Sequence, residues 1–239
     1  MKPLETTVDN QHILYDVARI ANIAEFSFEP QVLRERKQLT GSAQGRGNTH
    51  FFNYGEQALV LRHYRRGGFI ARFFDDGYFW TGLFRSRAWR EWHLLAKLKT
   101  MGLPVPQPVA ARVVLNGLIY RADIVIEAIP NTVTLAQRLR QGPLNELEWS
   151  KIAYCLYRFH TLGVYHADLN AHNILLNVQG DVYLIDFDRG RIRQPASGWQ
   201  QQNLARLERS LNKLKRLEGD SFAFDAKGWS LLLRIYNAA

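Results

Sequence analysis

One polar loop, set between segments with the patterns of buried helix and strand, constrains this chain more than any other feature. The loop is His166-Ala167-Asp168-Leu169-Asn170-Ala171-His172-Asn173, and Asp186 follows it within Leu184-Ile185-Asp186-Phe187-Asp188. Residues 154–160 have the pattern of an apolar helix end, and residues 174–176 and 182–185 have the pattern of two paired strands. A chance polar turn rarely combines acidic and amide side chains with this order of elements.

The spacing of Asp168, Asn173 and Asp186 matches the kinase pattern H-x-D-L-x-x-x-N followed by the Asp of D-F-G. Phosphoryl transfer needs an Asp that accepts the proton of the attacking hydroxyl, and an Asn and a second Asp that hold Mg²⁺ ions on the phosphates. The sequence therefore predicts Asp168 as the catalytic base, Asn173 and Asp186 as metal ligands, and ATP and Mg²⁺ as cofactors. His166 is expected to support the loop by hydrogen bonding and not to act as a base.

The N-terminal half carries the candidates for nucleotide binding, which are Gly45, Gly47, Arg62, Glu91 and Glu127. The two glycines allow a phosphate to approach the backbone, although a plain hairpin turn fits this composition equally well. Arg62 ends a strand-like segment at the position of the usual kinase Lys, and an arginine can still pair with phosphates and with a carboxylate. Glu91, in a helical pattern, is the predicted carboxylate. Glu127 begins the predicted hinge, whose backbone is expected to hydrogen-bond adenine.

These patterns predict an α+β fold of the bilobal protein-kinase-like type. Residues 1–127 are expected to form a β-rich N-lobe, and residues 64–90 are an insert within it. Residues 128–239 are expected to form a reduced helical C-lobe, which contains the catalytic loop and a leucine-rich helix over residues 200–217.

Composition restricts the class of protein further. The formal net charge of the 239 residues is +9, which favours an anionic partner such as nucleic acid, a phosphorylated sugar or an acidic membrane. A single cysteine, Cys155, cannot form an internal disulfide and fits a reducing cytoplasm. The chain lacks an apolar run long enough to span a membrane, and its start lacks the pattern of a secretory signal.

Residues 64–90 interleave arginines with aromatic side chains. The arginines are Arg65, Arg66, Arg72, Arg85, Arg87 and Arg90, and the aromatic residues are Phe69, Phe73, Phe74, Tyr78, Phe79, Trp80, Phe84 and Trp89. A solvated helix face is one interpretation of this pattern. The other is a surface that contacts a partner both apolar and anionic, such as a membrane interface.

Departures from the protein-kinase pattern indicate the acceptor. Ala167 replaces the Arg that normally binds a phosphorylated activation loop, and Asp188 replaces the Gly of D-F-G. No A-P-E sequence follows, and the remaining chain is too short for a full peptide-binding lobe. These departures disfavour a protein acceptor and favour a small or lipid-borne hydroxyl.

The chain resembles the 3-deoxy-D-manno-octulosonic acid (Kdo) kinases of Gram-negative bacteria, which are related to the heptose kinases of lipopolysaccharide core assembly. The resemblance rests on Gly45-Arg46-Gly47, Leu61–Gly68, Arg87–Glu91, Gly102–Pro106, Tyr165–Leu175, Ile185–Asp188 and Trp199–Leu214. It implies ATP-dependent phosphorylation of the 4-hydroxyl of the Kdo sugar on Kdo-lipid IVA, a lipid A precursor. It further implies a peripheral enzyme at the cytoplasmic face of the inner membrane.

Two alternatives stay open at the level of sequence. A heptose kinase, or another small-molecule kinase, would carry the same catalytic loop. A nucleic-acid-binding pseudokinase would account for the positive charge, but it would be expected to lack part of the set Asp168, Asn173 and Asp186. We therefore expect a glycolipid acceptor and an anionic membrane surface as partners, with no nucleic acid and no evident protein partner.

Overall fold

A computed structural model describes residues 1–44, 48–65 and 76–239 of the chain. These residues form two compact units. Unit 1 contains Met1–Lys97 and Pro106–Ala128, and unit 2 contains Leu98–Val105 and Ile129–Ala239. The sequence prediction assigns residues 98–105 to the N-lobe, whereas in the structure they belong to unit 2.

Unit 1 is built on an antiparallel sheet. Its strands are β1 (Pro3–Val8), β2 (Gln11–Asp16), β3 (Leu39–Gln44), β4 (Asn48–Tyr54), β5 (Gln57–His63), β6 (Tyr78–Phe79), β7 (Pro108–Asn116) and β8 (Ile119–Glu127). Their order in the sheet is β1-β2-β7-β8-β5-β4-β3, and β6 pairs with β8. The sequence predicts strands over residues 49–53 and 57–64 and a hairpin across Asn116-Gly117, and these are confirmed by the pairing of β4 with β5 and of β7 with β8. Each connecting turn contains a glycine, Gly55 or Gly117, in the left-handed conformation.

One hydrophobic cluster of unit 1 lies on one face of this sheet. Leu59 and Leu61 alternate along β5 and are fully buried with Val125 of β8. The first helix, α1 (Pro30–Glu35), begins at a proline and contributes Leu33 to the same cluster. The second helix, α2 (Arg87–Thr100), buries Trp92, Leu95 and Leu98, as its helical pattern predicts, and it also buries Trp89, which the sequence analysis places in the aromatic stretch of residues 64–90.

Unit 2 is mainly helical. Its helices are α3 (Leu135–Gln141), α4 (Glu146–Thr161), α5 (Ser197–Glu218) and α6 (Ala226–Ala238). Its strands are β9 (Thr132–Thr134), β10 (Val164–Tyr165), β11 (Ile174–Asn177), β12 (Val182–Leu184) and β13 (Arg191–Ile192). The strands form a sheet of order β12-β11-β9 and a separate pair, β10-β13. A β-rich N-terminal part and a helical C-terminal part confirm the predicted α+β fold.

Two details of unit 2 differ from the sequence prediction. The sequence predicts a helix over residues 134–140 after a cap at Asn131 or Thr132, whereas the N-cap of α3 is Thr134, which forms a reciprocal capping box with Gln137. The sequence interpretation also has no element at α6, which begins at the cap residue Asp225 and packs against α4. None of the helices in the described part of the chain is long and apolar enough to cross a membrane.

Candidate active site

The loop between β10 and β11 is fixed by the buried side chain of His166. Its Nδ1 accepts a hydrogen bond from the backbone N–H of Asp168 at 3.2 Å, so its Nε2 carries the proton that is donated to the Ile185 carbonyl at 2.9 Å. Burial lowers the pKa of His166, which favours this neutral form. The histidine therefore supports the loop, as the sequence predicts.

Asn173 closes the other end of the loop. Its side-chain Nδ2 donates to the carbonyl of Asp168 at 2.9 Å, and Asn170 donates to the same carbonyl at 2.9 Å. The backbone N–H of Ile185 donates to the carbonyl of Asn173 at 3.0 Å. Ile185 thus binds both ends of the loop, which sets the next residue, Asp186, beside it.

Asp186 itself has a left-handed backbone, with φ of 63°. The following residue, Phe187, is buried and stacks on Phe159 of α4 with ring centroids 5.9 Å apart. Its ring also lies 4.8 Å from that of His166. An aromatic anchor and an unusual backbone conformation together fix where the Asp186 carboxylate projects.

The donor set of Asn173 and Asp186 fits Mg²⁺. The amide nitrogen of Asn173 is used by the Asp168 carbonyl, so the amide oxygen is the atom available for a cation. The carboxylate of Asp186 would be the second hard oxygen ligand, and Mg²⁺ bound with phosphates takes only one or two protein carboxylates.

The side chain of Asp168 lies in an ion pair that the sequence prediction does not contain. Arg206 Nη1 of α5 contacts Asp168 Oδ1 at 2.7 Å, and both side chains are about half exposed. The leucine spacing predicts a helix over residues 200–217, with Arg206 among the basic residues between the leucines, and gives Arg206 no role of its own. A usable signal is the spacing of Asn203, Arg206 and Ser210, which brings three polar residues to one face of α5.

In unit 1 the structure brings Arg62 of β5 and Glu91 of α2 together in an ion pair. Glu91 is buried, and it also accepts a hydrogen bond from the hydroxyl of Tyr64 at 2.5 Å. Burial and the Glu91 carboxylate raise the pKa of Tyr64 well above its usual value, so the phenol stays protonated and donates. Tyr64 is a member of this cluster that sequence reasoning missed.

The other candidates for nucleotide binding are Gly45, Gly47 and Glu127, and the structure describes only Glu127. Gly45 and Gly47 lie outside the described residues. The backbone N–H groups of Glu127 and Ala128 donate to the carbonyls of Gln107 and Ala58, both at 2.9 Å. The Glu127 side chain pairs with Arg19 at 3.3 Å. An adenine contact from Glu127 would therefore use its carbonyl oxygen.

A β-rich N-terminal part with an Arg–Glu pair, and a helical part with an Asp–Asn–Asp loop, define the class of protein-kinase-like phosphotransferases. Within this class, the chain belongs to the Lipopolysaccharide kinase (Kdo/WaaP) family, whose sequence pattern matches residues 30–236.

Several relatives carry the name 3-deoxy-D-manno-octulosonic acid kinase. The protein of Xylella fastidiosa (strain M12) is 45% identical over 203 residues, which cover 85% of this chain and 81% of that protein. The protein of Vibrio parahaemolyticus is 41% identical over 209 residues, 87% of each chain. The protein of Photobacterium profundum is 38% identical over 232 residues, 97% of each chain. The similarity thus extends over nearly the whole chain.

Proposed function

We propose that this protein is a Kdo kinase of lipopolysaccharide core biosynthesis, which transfers the γ-phosphoryl group of ATP to a hydroxyl of the Kdo sugar. The observation that carries the proposal is the loop itself, in which His166, Asn173 and Ile185 hold Asp168 and Asp186 side by side. The names of the relatives support the choice of acceptor. The 4-hydroxyl of Kdo-lipid IVA is the acceptor group that the family resemblance suggests.

In this proposal Asp168 orients the acceptor hydroxyl and accepts its proton. The hydroxyl oxygen bonds to the γ-phosphorus as the bond from that phosphorus to the bridging oxygen breaks, and ADP leaves. Asn173 and Asp186 would hold Mg²⁺, which would supply positive charge near the phosphate oxygens. The loop hydrogen bonds fix these groups before the reaction, so little reorganisation is needed.

Unit 1 would supply the contacts to the nucleotide. Arg62 is held by Glu91, and its guanidinium lies 5.1 Å from the ring centre of Tyr64. Such a braced, planar cation suits phosphate oxygens. In the proposal Arg62 takes the place of the usual kinase Lys, and Gly45 and Gly47 add backbone contacts to the phosphates.

We also propose that the protein acts at an anionic membrane surface, as a peripheral protein of the cytoplasmic face of the inner membrane. In the described part of residues 64–90, Phe79 and Phe84 are 66% and 71% exposed, and Arg85 and Arg90 are exposed near them in sequence. Exposed aromatic and basic residues favour a membrane interface. Tyr78 and Trp89 are buried, so they belong to the fold and not to this surface.

The decisive experiment is transfer of labelled phosphate from ATP by the purified protein, with Mg²⁺, to three acceptors. We expect label on a Kdo-bearing lipid A precursor, and none on RNA. The Asp168→Ala protein is the matched negative control. Preferential labelling of heptosylated core would replace the proposal with a heptose kinase. ATP-independent RNA binding without turnover would replace it with a nucleic-acid-binding protein.

A further inference from the structure

Side chains of α5 bind the catalytic loop at three points, His166, Asp168 and Ala171. Asn203, which is buried, accepts from the backbone N–H of His166 at 3.2 Å and donates to the carbonyl of the same residue at 3.0 Å. Ser210 accepts from the backbone N–H of Ala171 at 3.3 Å. Arg206 lies between them on the same helix face and binds Asp168. Two of these three residues hold the backbone, and only Arg206 reaches the reacting carboxylate.

The pair of Arg206 and Asp168 has little value for stability. Their side chains are 47% and 45% exposed, and ion pairs of this exposure stabilise a fold by about 1 kcal/mol or less. The backbone of Asp168 is already held by His166, Asn170 and Asn173. The effect of Arg206 is therefore local, because it selects the direction in which the Asp168 carboxylate points.

The guanidinium keeps donors for a second anion. Its contact to Asp168 uses Nη1, and within the described part of the chain no protein acceptor is bonded to its other nitrogens. An acceptor hydroxyl must lie about 3 Å from the Asp168 carboxylate to transfer its proton. An oxyanion of the reactants next to that hydroxyl is then within reach of the Arg206 guanidinium, whose planar set of N–H donors suits carboxylate and phosphate groups.

We propose that Arg206 is a positioning residue for Asp168 and that its remaining donors bind an oxyanion of the bound reactants. This inference rests on the proposed function, in which two such groups are present. One is the carboxylate of the sugar acid, and the other is the phosphoryl group in transfer. Either one gives Arg206 two roles, to orient the base and to bind the anion beside it.

The kinetic test compares Arg206→Gln with Arg209→Gln, since Arg209 is an exposed arginine of the same helix. We expect Arg206→Gln to lower kcat/KM for the Kdo-bearing acceptor about tenfold to a hundredfold with KM for ATP unchanged. Arg209→Gln should stay within about twofold of wild type. Added methylguanidinium should restore activity to Arg206→Ala, which a loss of folding would prevent. Equal effects of the two Gln variants, or no restoration, would overturn the inference.

The methyl ester of the acceptor separates the two sources of the oxyanion. If Arg206 binds the sugar carboxylate, wild type should transfer phosphate more slowly to the ester, and Arg206→Gln should transfer it more slowly to the unmodified acceptor. The rate of Arg206→Gln with the ester should then be no lower than either of these two rates. If Arg206 binds the phosphoryl group, the two losses should multiply. Both results support the binding of an oxyanion by Arg206. If Arg206→Gln lowers kcat in wild type but has no effect in the Asp168→Ala background, Arg206 only orients the base, and the proposed oxyanion binding is overturned.

One readout does not depend on the acceptor. Nitrogen-15 NMR of the Arg206 guanidinium should show slowed rotation that is lost in Asp168→Asn. If wild type fails to phosphorylate any Kdo acceptor while this signature is present, the proposed function fails and the positioning role stands. Free rotation in wild type would remove the positioning role, whatever the acceptor.

Discussion

At the scale of single residues, the backbone of Asp168 helps to hold the loop, whereas its side chain takes no part in those loop bonds. The backbone N–H and carbonyl take part in the hydrogen bonds that hold the loop, whereas among the described residues the carboxylate is bonded to the side chain of Arg206. A substitution at this position therefore removes the proposed catalytic base and leaves the loop bonds in place. The residue is suited to a test that separates chemistry from folding.

We expect Asp168→Ala to lower turnover by at least about a hundredfold, because a general base contributes roughly 10²–10⁴-fold to rate. The midpoint of thermal unfolding should stay close to that of wild type. Asp220→Ala, which removes an exposed carboxylate of unit 2, is the control and should retain activity. Steady-state kinetics decide the matter, and retention of more than about a tenth of wild-type turnover would contradict the assignment of the base.

Asp186→Asn tests the metal role without disturbing the backbone. Asparagine tolerates the left-handed conformation that residue 186 adopts, and the buried anchor Phe187 is unchanged. We expect the folded variant to lose Mg-ATP turnover, because an amide is a weaker ligand for Mg²⁺ than a carboxylate. Calorimetry of nucleotide binding with and without Mg²⁺ measures the effect. Unchanged Mg²⁺-dependent binding would move the role to Asp188.

At the scale of elements, the C-terminal helix α6 docks on α4 through a glycine. A Cβ atom at Gly228 would lie 2.7 Å from Nε1 and 2.8 Å from Cε2 of Trp149, which is buried. Trp149 also has Phe224, just before α6, as an aromatic neighbour with ring centroids 6.4 Å apart. The close approach of the two helices thus depends on the absence of a side chain at residue 228.

This contact predicts opposite effects for two helical glycines. Gly228→Ala should destabilise the protein by about 1–3 kcal/mol, the usual range for overpacking a filled site. Gly198→Ala in α5 should stabilise it by up to about 1 kcal/mol, because no atom lies within 4 Å of the added Cβ and alanine is the better helix former. Urea unfolding measures both. Two changes of the same sign would contradict the packing of α6 described above.

At the scale of the whole molecule, His160 makes stability depend on acid. This residue of α4 is buried, its Nδ1 lies 2.7 Å from the hydroxyl of Tyr236 in α6, and its ring contacts Trp199 of α5. Burial lowers its pKa from 6.5 to about 4. The lowered pKa means that its contribution to stability is present above pH 6.5 and is lost as the pH falls toward 4.

We therefore expect unfolding free energy to fall between pH 6.5 and pH 4, with about 3 kcal/mol of the loss due to His160. Replacement by glutamine removes the titrating group, so the His160→Gln protein should have a flatter dependence on pH. Urea unfolding at several pH values in this window gives the slopes. The same slope in both proteins would mean that His160 is not kept neutral by the fold.

The proposed membrane attachment also belongs to the scale of the whole molecule. If residues 64–90 bind an anionic surface, wild type should float with anionic vesicles at low salt, since each basic residue near such a surface adds about 1 kcal/mol. Replacing Arg65, Arg66, Arg72 and Arg85 by Gln should abolish flotation. The control replaces four cations elsewhere, namely Arg34, Lys37, Arg209 and Arg216. A wild type that does not float would contradict the proposal.

A variant that floats like wild type has a different meaning. If the protein with the four Gln replacements still floats but loses activity only with the lipid acceptor, these arginines bind the sugar or its phosphates. Flotation and activity must therefore be measured on the same preparations.

The sequence by itself determines much of the local structure. Periodicity and turn residues predict most strands and helices to within a few residues, and the spacing of Asp168, Asn173 and Asp186 predicts the catalytic loop. The contact of Arg62 with Glu91 also follows from the kinase pattern. The sequence predicts these features because hydrophobic burial fixes the spacing of apolar residues, and phosphate chemistry fixes the spacing of the acidic and amide residues.

Only the tertiary structure decides the partners of exposed polar groups and the docking of distant elements. Arg206 and Asp168 are 38 residues apart, and although Arg206 shares a polar face of α5 with Asn203 and Ser210, that spacing does not tell which residue of the loop it contacts. The dependence of α6 on Gly228 is equally hidden, because it requires the position of Trp149 in another helix. Local sequence fixes which face of a helix is apolar, but long-range packing fixes which polar side chain faces the catalytic loop.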